Sequence, residues 1–95
     1  MKIGQAIRIL RKNDLCTQGE FANSIGVTQA YLSGIENGHK KPSLEVMENM
    51  AESFGVPLPV LFWFGIERED VSEEKQYIYD MLKPSIDNLI NEVFS

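Results

Sequence analysis

Apolar residues recur along this chain at helical intervals, interrupted at short distances by residues that start and stop helices. Ile3, Ile7 and Leu10 share one side of a first helix from about Lys2 to Asn13, while Arg8, Arg11 and Lys12 face elsewhere. Asn13-Asp14 offers the stop. Thr17 then supplies an N-cap with Glu20 three residues on, the capping-box spacing. The short second helix buries Phe21, Ala22 and Ile25 and ends at Gly26. Thr28 caps a third helix to about Asn37, and Gly38 sits where a left-handed residue would close it. After Lys40-Lys41-Pro42, Ser43 caps a fourth helix whose Leu44, Met47, Met50, Ala51 and Phe54 mark a core face. Gly55 closes that helix, and Pro57 to Phe64 fits a short fifth one with proline in its first turn.

The pattern changes at Gly65. Glu67 to Glu74 is acidic and polar, a linker or the first turn of a new helix, with Asp70 and Glu73 again at capping-box spacing. Beyond it, Ile78, Leu82, Ile86, Leu89 and Val93 form an amphipathic stripe widened by Met81, Ile90 and Phe94. Pro84 interrupts it and is expected to kink the helix or split it in two. The expected architecture is all-α: five helices in residues 1–66, then an acidic linker and C-terminal helix in residues 67–95. That helix either folds back on its own domain or pairs with a second copy, and pairing is the favoured expectation. Leu61-Phe62-Trp63-Phe64 is left between core packing and an interface.

Ninety-five residues suit one compact domain with an appended element. The longest apolar run, Val60 to Phe64, falls far short of the roughly 20 residues that span a bilayer. With no signal-peptide pattern, a cytoplasmic protein without a membrane partner is expected. The net charge of −5 looks unfavourable for a nucleic-acid binder until it is divided. Residues 1–66 hold six cations (Lys2, Arg8, Arg11, Lys12, Lys40, Lys41) against six acids, so the whole excess resides in the tail. The first two-thirds can still present a local basic face. Cys16 stands alone, which excludes an intrachain disulfide and a cysteine-cluster metal site, and it reads as a small buried hydrophobe. His39 reads as a solvated loop residue, and the tail carboxylates as a solvated face. No nucleophile–base arrangement, phosphate-binding glycine loop or metal spacing is present, so neither enzyme activity nor cofactor is expected.

Two short helices joined by a tight glycine-containing turn make a helix-turn-helix unit. Its second helix must fit a major groove about 12 Å wide, with small and polar groups outward and apolar groups inward. Residues 28–36 comply. Leu32, Ile35 and Val27 face in, while Thr28, Gln29, Ala30 and Ser33 can face out as base-reading positions. Glutamine suits bidentate pairing with adenine, and an alanine or threonine methyl suits that of thymine.

The run Thr17-Gln18-Gly19-Glu20-Phe21-Ala22, then Ile25 to Gly38, then Lys41-Pro42-Ser43-Leu44, resembles the phage-repressor/Cro (XRE-like) helix-turn-helix family across roughly residues 3–64. The resemblance implies a lambda-repressor-like five-helix DNA-binding domain. It places Thr17, Gln18, Asn37, Lys40 and Lys41 at DNA phosphates and Gln29, Ala30 and Ser33 in the groove. Arg11 and Glu36 match a structural pair tying the first helix to the third. Gly34 departs from the pattern, standing where the family often has arginine or glutamine. Gly19 likewise weakens the second helix, and together the two glycines leave either modest affinity or close backbone approach to DNA. Tyr31 reads as packing ahead of a phosphate contact. The implied function is a homodimeric, repressor-type transcriptional regulator on an inverted-repeat operator, dimerised through Ile78, Leu82, Ile86, Leu89 and Val93. The alternatives are an antitoxin or interaction module using the C-terminal helix on a protein partner, and a restriction-modification controller.

Overall fold

The computed structural model describes residues 1–94, and α-helices with identifiable caps make up most of it. The order is α1 (Ile3–Asn13), α2 (Gln18–Ile25), α3 (Gln29–Glu36), α4 (Leu44–Phe54) and α5 (Leu58–Gly65). Two 3-10 turns follow, Arg68–Asp70 and Glu73–Lys75, then α6 (Gln76–Phe94). The fold is all-α, a five-helix helix-turn-helix domain carrying a long C-terminal helix. Thr17 and Glu20 form the reciprocal capping box, and the Thr28 and Ser43 hydroxyls accept the N–H three residues on. Gly26 and Gly55 end α2 and α4 in the left-handed conformation, with φ of 76° and 71°.

One turn lacks such a residue. Leu15, between α1 and α2, adopts φ of 55° with its side chain 92% exposed. A left-handed L-residue costs about 1–2 kcal/mol, and here no burial offsets it. Leu15→Gly is therefore expected to stabilise the protein by roughly 1 kcal/mol. Urea unfolding followed by circular dichroism would show a raised midpoint at unchanged slope; a lowered midpoint would mean the leucine holds the turn.

Ile7, Leu32, Ile35, Met50 and Leu61 are the fully buried side chains, one or two from each of α1, α3, α4 and α5. Phe21, Ala22 and Ile25 of α2 complete the core, with the Phe21 ring stacked on Phe54 at 4.8 Å between centroids. α1 crosses α3 at Gly4, where the helices approach so closely that a Cβ would lie 2.0 Å from the Ile35 carbonyl oxygen. Leu44 departs from the expected core face. It is 60% exposed, because the first residue of α4 projects past the edge of the domain while Met47, Met50 and Ala51 fill the core.

The tail docks on α5. Trp63 Nε1 donates to Asp87 Oδ1 at 2.8 Å, Tyr79 Oη donates to the Ile66 carbonyl at 3.3 Å, and Ile90 is buried. The aromatic run thus divides, with Leu61 in the core and Trp63 receiving the tail. Burial pushes the Asp87 carboxyl up, but hydrogen bonds from Lys83 and Trp63 outweigh it and leave the group below its ordinary value. Asp70 pairs back to Glu67 rather than forward to Glu73: its carboxylate accepts the Glu67 N–H at 2.8 Å and the Met1 ammonium at 2.5 Å. Both contacts hold that carboxyl below its ordinary value. α6 runs through Pro84 as one helix instead of splitting. Proline removes the donor that would serve the Asp80 carbonyl, and both residues are exposed, so water can replace it.

Candidate nucleic-acid interface

α2 and α3 are held by the turn between them. The Val27 N–H returns to the Ala22 carbonyl at 3.0 Å, and left-handed Gly26 reverses the chain. Burial of Leu32, Ile35 and Glu36 fixes which side of α3 faces inward. That leaves exposed Gln29 and Ala30 and half-buried Ser33 on the outward side, with Thr28 exposed at its N-cap. Asn37 extends the surface, its amide donating to Ser33 Oγ at 3.3 Å.

Beneath it lies a buried ion pair. Arg11 Nε and Nη2 reach the two Glu36 oxygens at 2.8 and 3.0 Å, and Arg11 Nη1 donates to the Cys16 carbonyl at 2.8 Å. The hydrogen bond to Glu36 raises the Arg11 pKa against the opposing effect of burial. Each guanidinium nitrogen donates one hydrogen bond, so Arg11 ties α1 to the α1–α2 loop and to α3. The pair also reaches the surface. Gln18 Nε2 donates to Glu36 Oε1 at 3.3 Å, and Gln29 Nε2 approaches Gln18 Oε1 at 3.5 Å. The two glutamines that open α2 and α3 therefore stand side by side over one buried carboxylate. Thr17 is committed to its cap, exchanging hydrogen bonds of 3.1 Å with Glu20, whose carboxyl they hold below its ordinary value.

The loop after α3 carries exposed Lys40 and Lys41, with the Lys40 ammonium 5.5 Å from the centre of the Tyr31 ring. Tyr31 packs partly against the core, as does Cys16. Exposed His39 lies in the same loop. Sequence reasoning missed a neighbouring feature. Lys2, Gln5 and Arg8 of the α1 region line, with Asn37, Lys40 and Lys41, a groove of about 490 Å³. Arg8 has no ion-pair partner among the described residues; the basic charge of residues 1–66 was legible in the sequence, but not that Lys2, Gln5 and Arg8 meet Lys40 and Lys41 in one groove. The stripe on α6 lies outside this surface. Ile78 and Ile86 are half-buried in a groove of about 260 Å³ with Trp63 and Val71, whereas Leu82, Leu89 and Val93 are exposed.

A capped helix pair with a small, polar outward face and a cationic rim defines a helix-turn-helix DNA-binding unit. The chain belongs to the helix-turn-helix family, in its XRE/Cro/C1 branch: the family model matches residues 7–61. This is a family of DNA-binding transcriptional regulators, not of enzymes. The chain is 29% identical over 80 residues to the immunity repressor protein of Bacillus phage phi105, covering 84% of this chain and 53% of that protein. It is 35% identical over 80 residues to the cryptic phage CTXphi transcriptional repressor RstR of Vibrio cholerae, covering 84% of this chain and 64% of that one. It thus spans only half to two-thirds of their length. The crystal structure of the clp gene regulator ClgR from Corynebacterium glutamicum shares the fold, with a TM-score of 0.67 at 23% identity over 88% of this chain and 89% of that one. No helix among the described residues is long and apolar enough to cross a membrane.

Proposed function

We propose that the protein represses transcription by binding an inverted-repeat operator as a homodimer. Residues 1–66 read the DNA, and residues 67–95 hold the two copies together. The observation that carries this reading is the outward face of α3, where Gln29, Ala30 and Ser33 follow an exposed, capped N-terminus. Gln29 reads a base, with Thr28, Ala30 and Ser33 beside it. Gln18, Thr17, Asn37 and Lys41 contact phosphates and set the register without reading sequence. The exposed Leu82, Leu89 and Val93, with Ile78 and Ile86, offer a second copy a self-complementary stripe. The repressor outcome is supported by the likeness to the phage phi105 immunity repressor and the CTXphi repressor RstR.

Selecting bound sites from randomised duplex DNA tests the reading. The expected product is a palindrome whose half-sites lie about 34 Å apart along the helix axis. Gln29→Ala should then weaken binding to the selected site by about 1–3 kcal/mol and relax one position in each half-site. Recovery of unrelated sequences, or single half-sites without symmetry, would refute the operator or the dimer respectively.

A further inference from the structure

The last turn of the recognition helix is bare, and a lysine from outside the helix lies across it. Gly34 stands four residues after Ala30 in the same outward row, on the side of α3 opposite buried Leu32 and Ile35. A Cβ built on Gly34 would meet Lys40 Cγ and Cδ at 3.2 Å and Cε at 3.6 Å. The lysine stem therefore runs through the space that a side chain at position 34 would use. It is held there by the backbone, since the N–H groups of His39 and Lys40 both donate to the Gly34 carbonyl, at 2.8 and 3.1 Å. Gly34 is only half-exposed despite its outward position, as such a cover requires.

We infer that Lys40 is a base-reading residue, a specificity determinant carried on the loop and presented through Gly34 as if it grew from α3. This rests on the proposed operator binding and changes the task of one residue within it. A lysine at a phosphate needs only to hang over the backbone as a mobile charge. Lys40 instead has its stem laid on the helix surface that enters the groove, with its ammonium near the Tyr31 ring. An ammonium is a donor with no acceptor, and in the major groove guanine offers two acceptors, O6 and N7. Guanine is thus the base it selects. The small Ala30 and Gly34 leave the depth that a stem lying flat on the helix needs.

The test compares the wild-type protein with Lys40→Ala and Lys40→Met, the second of which keeps the stem and removes the charge. Each is measured on the selected operator and on duplexes with every base substituted singly across the half-site. Both variants should lose about tenfold on the operator and become indifferent at one guanine position. They should keep the wild-type ranking elsewhere. Uniform weakening on all duplexes, with a salt slope shallower by about one phosphate contact, would overturn the inference in favour of a backbone contact. Unchanged binding, or Lys40→Met matching wild type, would overturn it as well. A wild-type protein that selects no sequence removes the regulator reading itself and this inference with it.

Discussion

Replacing Glu36 by alanine is expected to lower the unfolding free energy by about 3–5 kcal/mol, because it leaves the Arg11 guanidinium buried without its counter-charge. Both side chains are almost fully inaccessible, and two hydrogen bonds of 2.8 and 3.0 Å join them. The Cys16 carbonyl alone cannot compensate a buried cation. For a domain whose total stability is on the order of 5–15 kcal/mol, such a loss takes much of the margin. Denaturant unfolding of the single variant should show it directly. The double variant Arg11→Met with Glu36→Leu should recover most of the loss, since removing both charges avoids the orphan. A single variant within 1 kcal/mol of wild type would show that water reaches the site. Because Gln18 leans on the same carboxylate, DNA affinity of the folded fraction should fall as well.

Gly4→Ala should also destabilise the domain, by less and for a steric reason. The added Cβ would sit 2.0 Å from the Ile35 carbonyl oxygen and 3.0 Å from its carbon, both backbone atoms of α3. No side chain can rotate away, so the two helices must separate where the core is closely packed. Overpacking of this kind costs about 1–3 kcal/mol and sometimes more, against roughly 1 kcal/mol of helix propensity gained over glycine. With both contacts on fixed backbone the cost falls at the upper end of that range, and the net expectation is a loss of about 1–2 kcal/mol. Gly19 is the control. A Cβ there meets only the Gln29 side chain at 3.4 Å, so alanine keeps the propensity gain. Thermal melts of the two variants should move in opposite directions, and a Gly4→Ala protein as stable as wild type would mean that α1 can slide.

What the chain reveals without its structure follows the range of each interaction. Thr17, Glu20, Thr28, Ser43, Gly26 and Gly55 act on backbone within four residues, and their caps and turns were legible one by one. The inward stripes of α2 and α3 were legible for the same reason, because helical period alone sorts them. The candidate interface inherits that legibility, since its outward residues are what remains once Leu32 and Ile35 turn in. The contacts that escaped join distant segments. Nothing around Gly4 announces that Ile35 passes over it, and Gly34 gives no sign that Lys40 covers it. Ile90 looked like one more member of a stripe, yet it is the buried residue of α6, because the end of α1 and the α4–α5 turn meet it there. Asp70 was expected to pair with Glu73, but it accepts instead from the Glu67 N–H and from the N-terminus, a partner 69 residues away that local spacing cannot reveal. Leu44 matched its helix's apolar phase but lies beyond the reach of the core.

The sole tryptophan sits at the seam between body and tail, its indole tied to Asp87 and flanked by Tyr79. α6 is therefore anchored on the back of α5 rather than trailing free of it. Torque applied to its outer edge by whatever grips it is transmitted through that indole to α5, and from α5 to the neighbouring α1, whose Gly4 crosses α3. If two copies pair through α6, as proposed, its mounting angle sets the spacing of their recognition helices on one duplex.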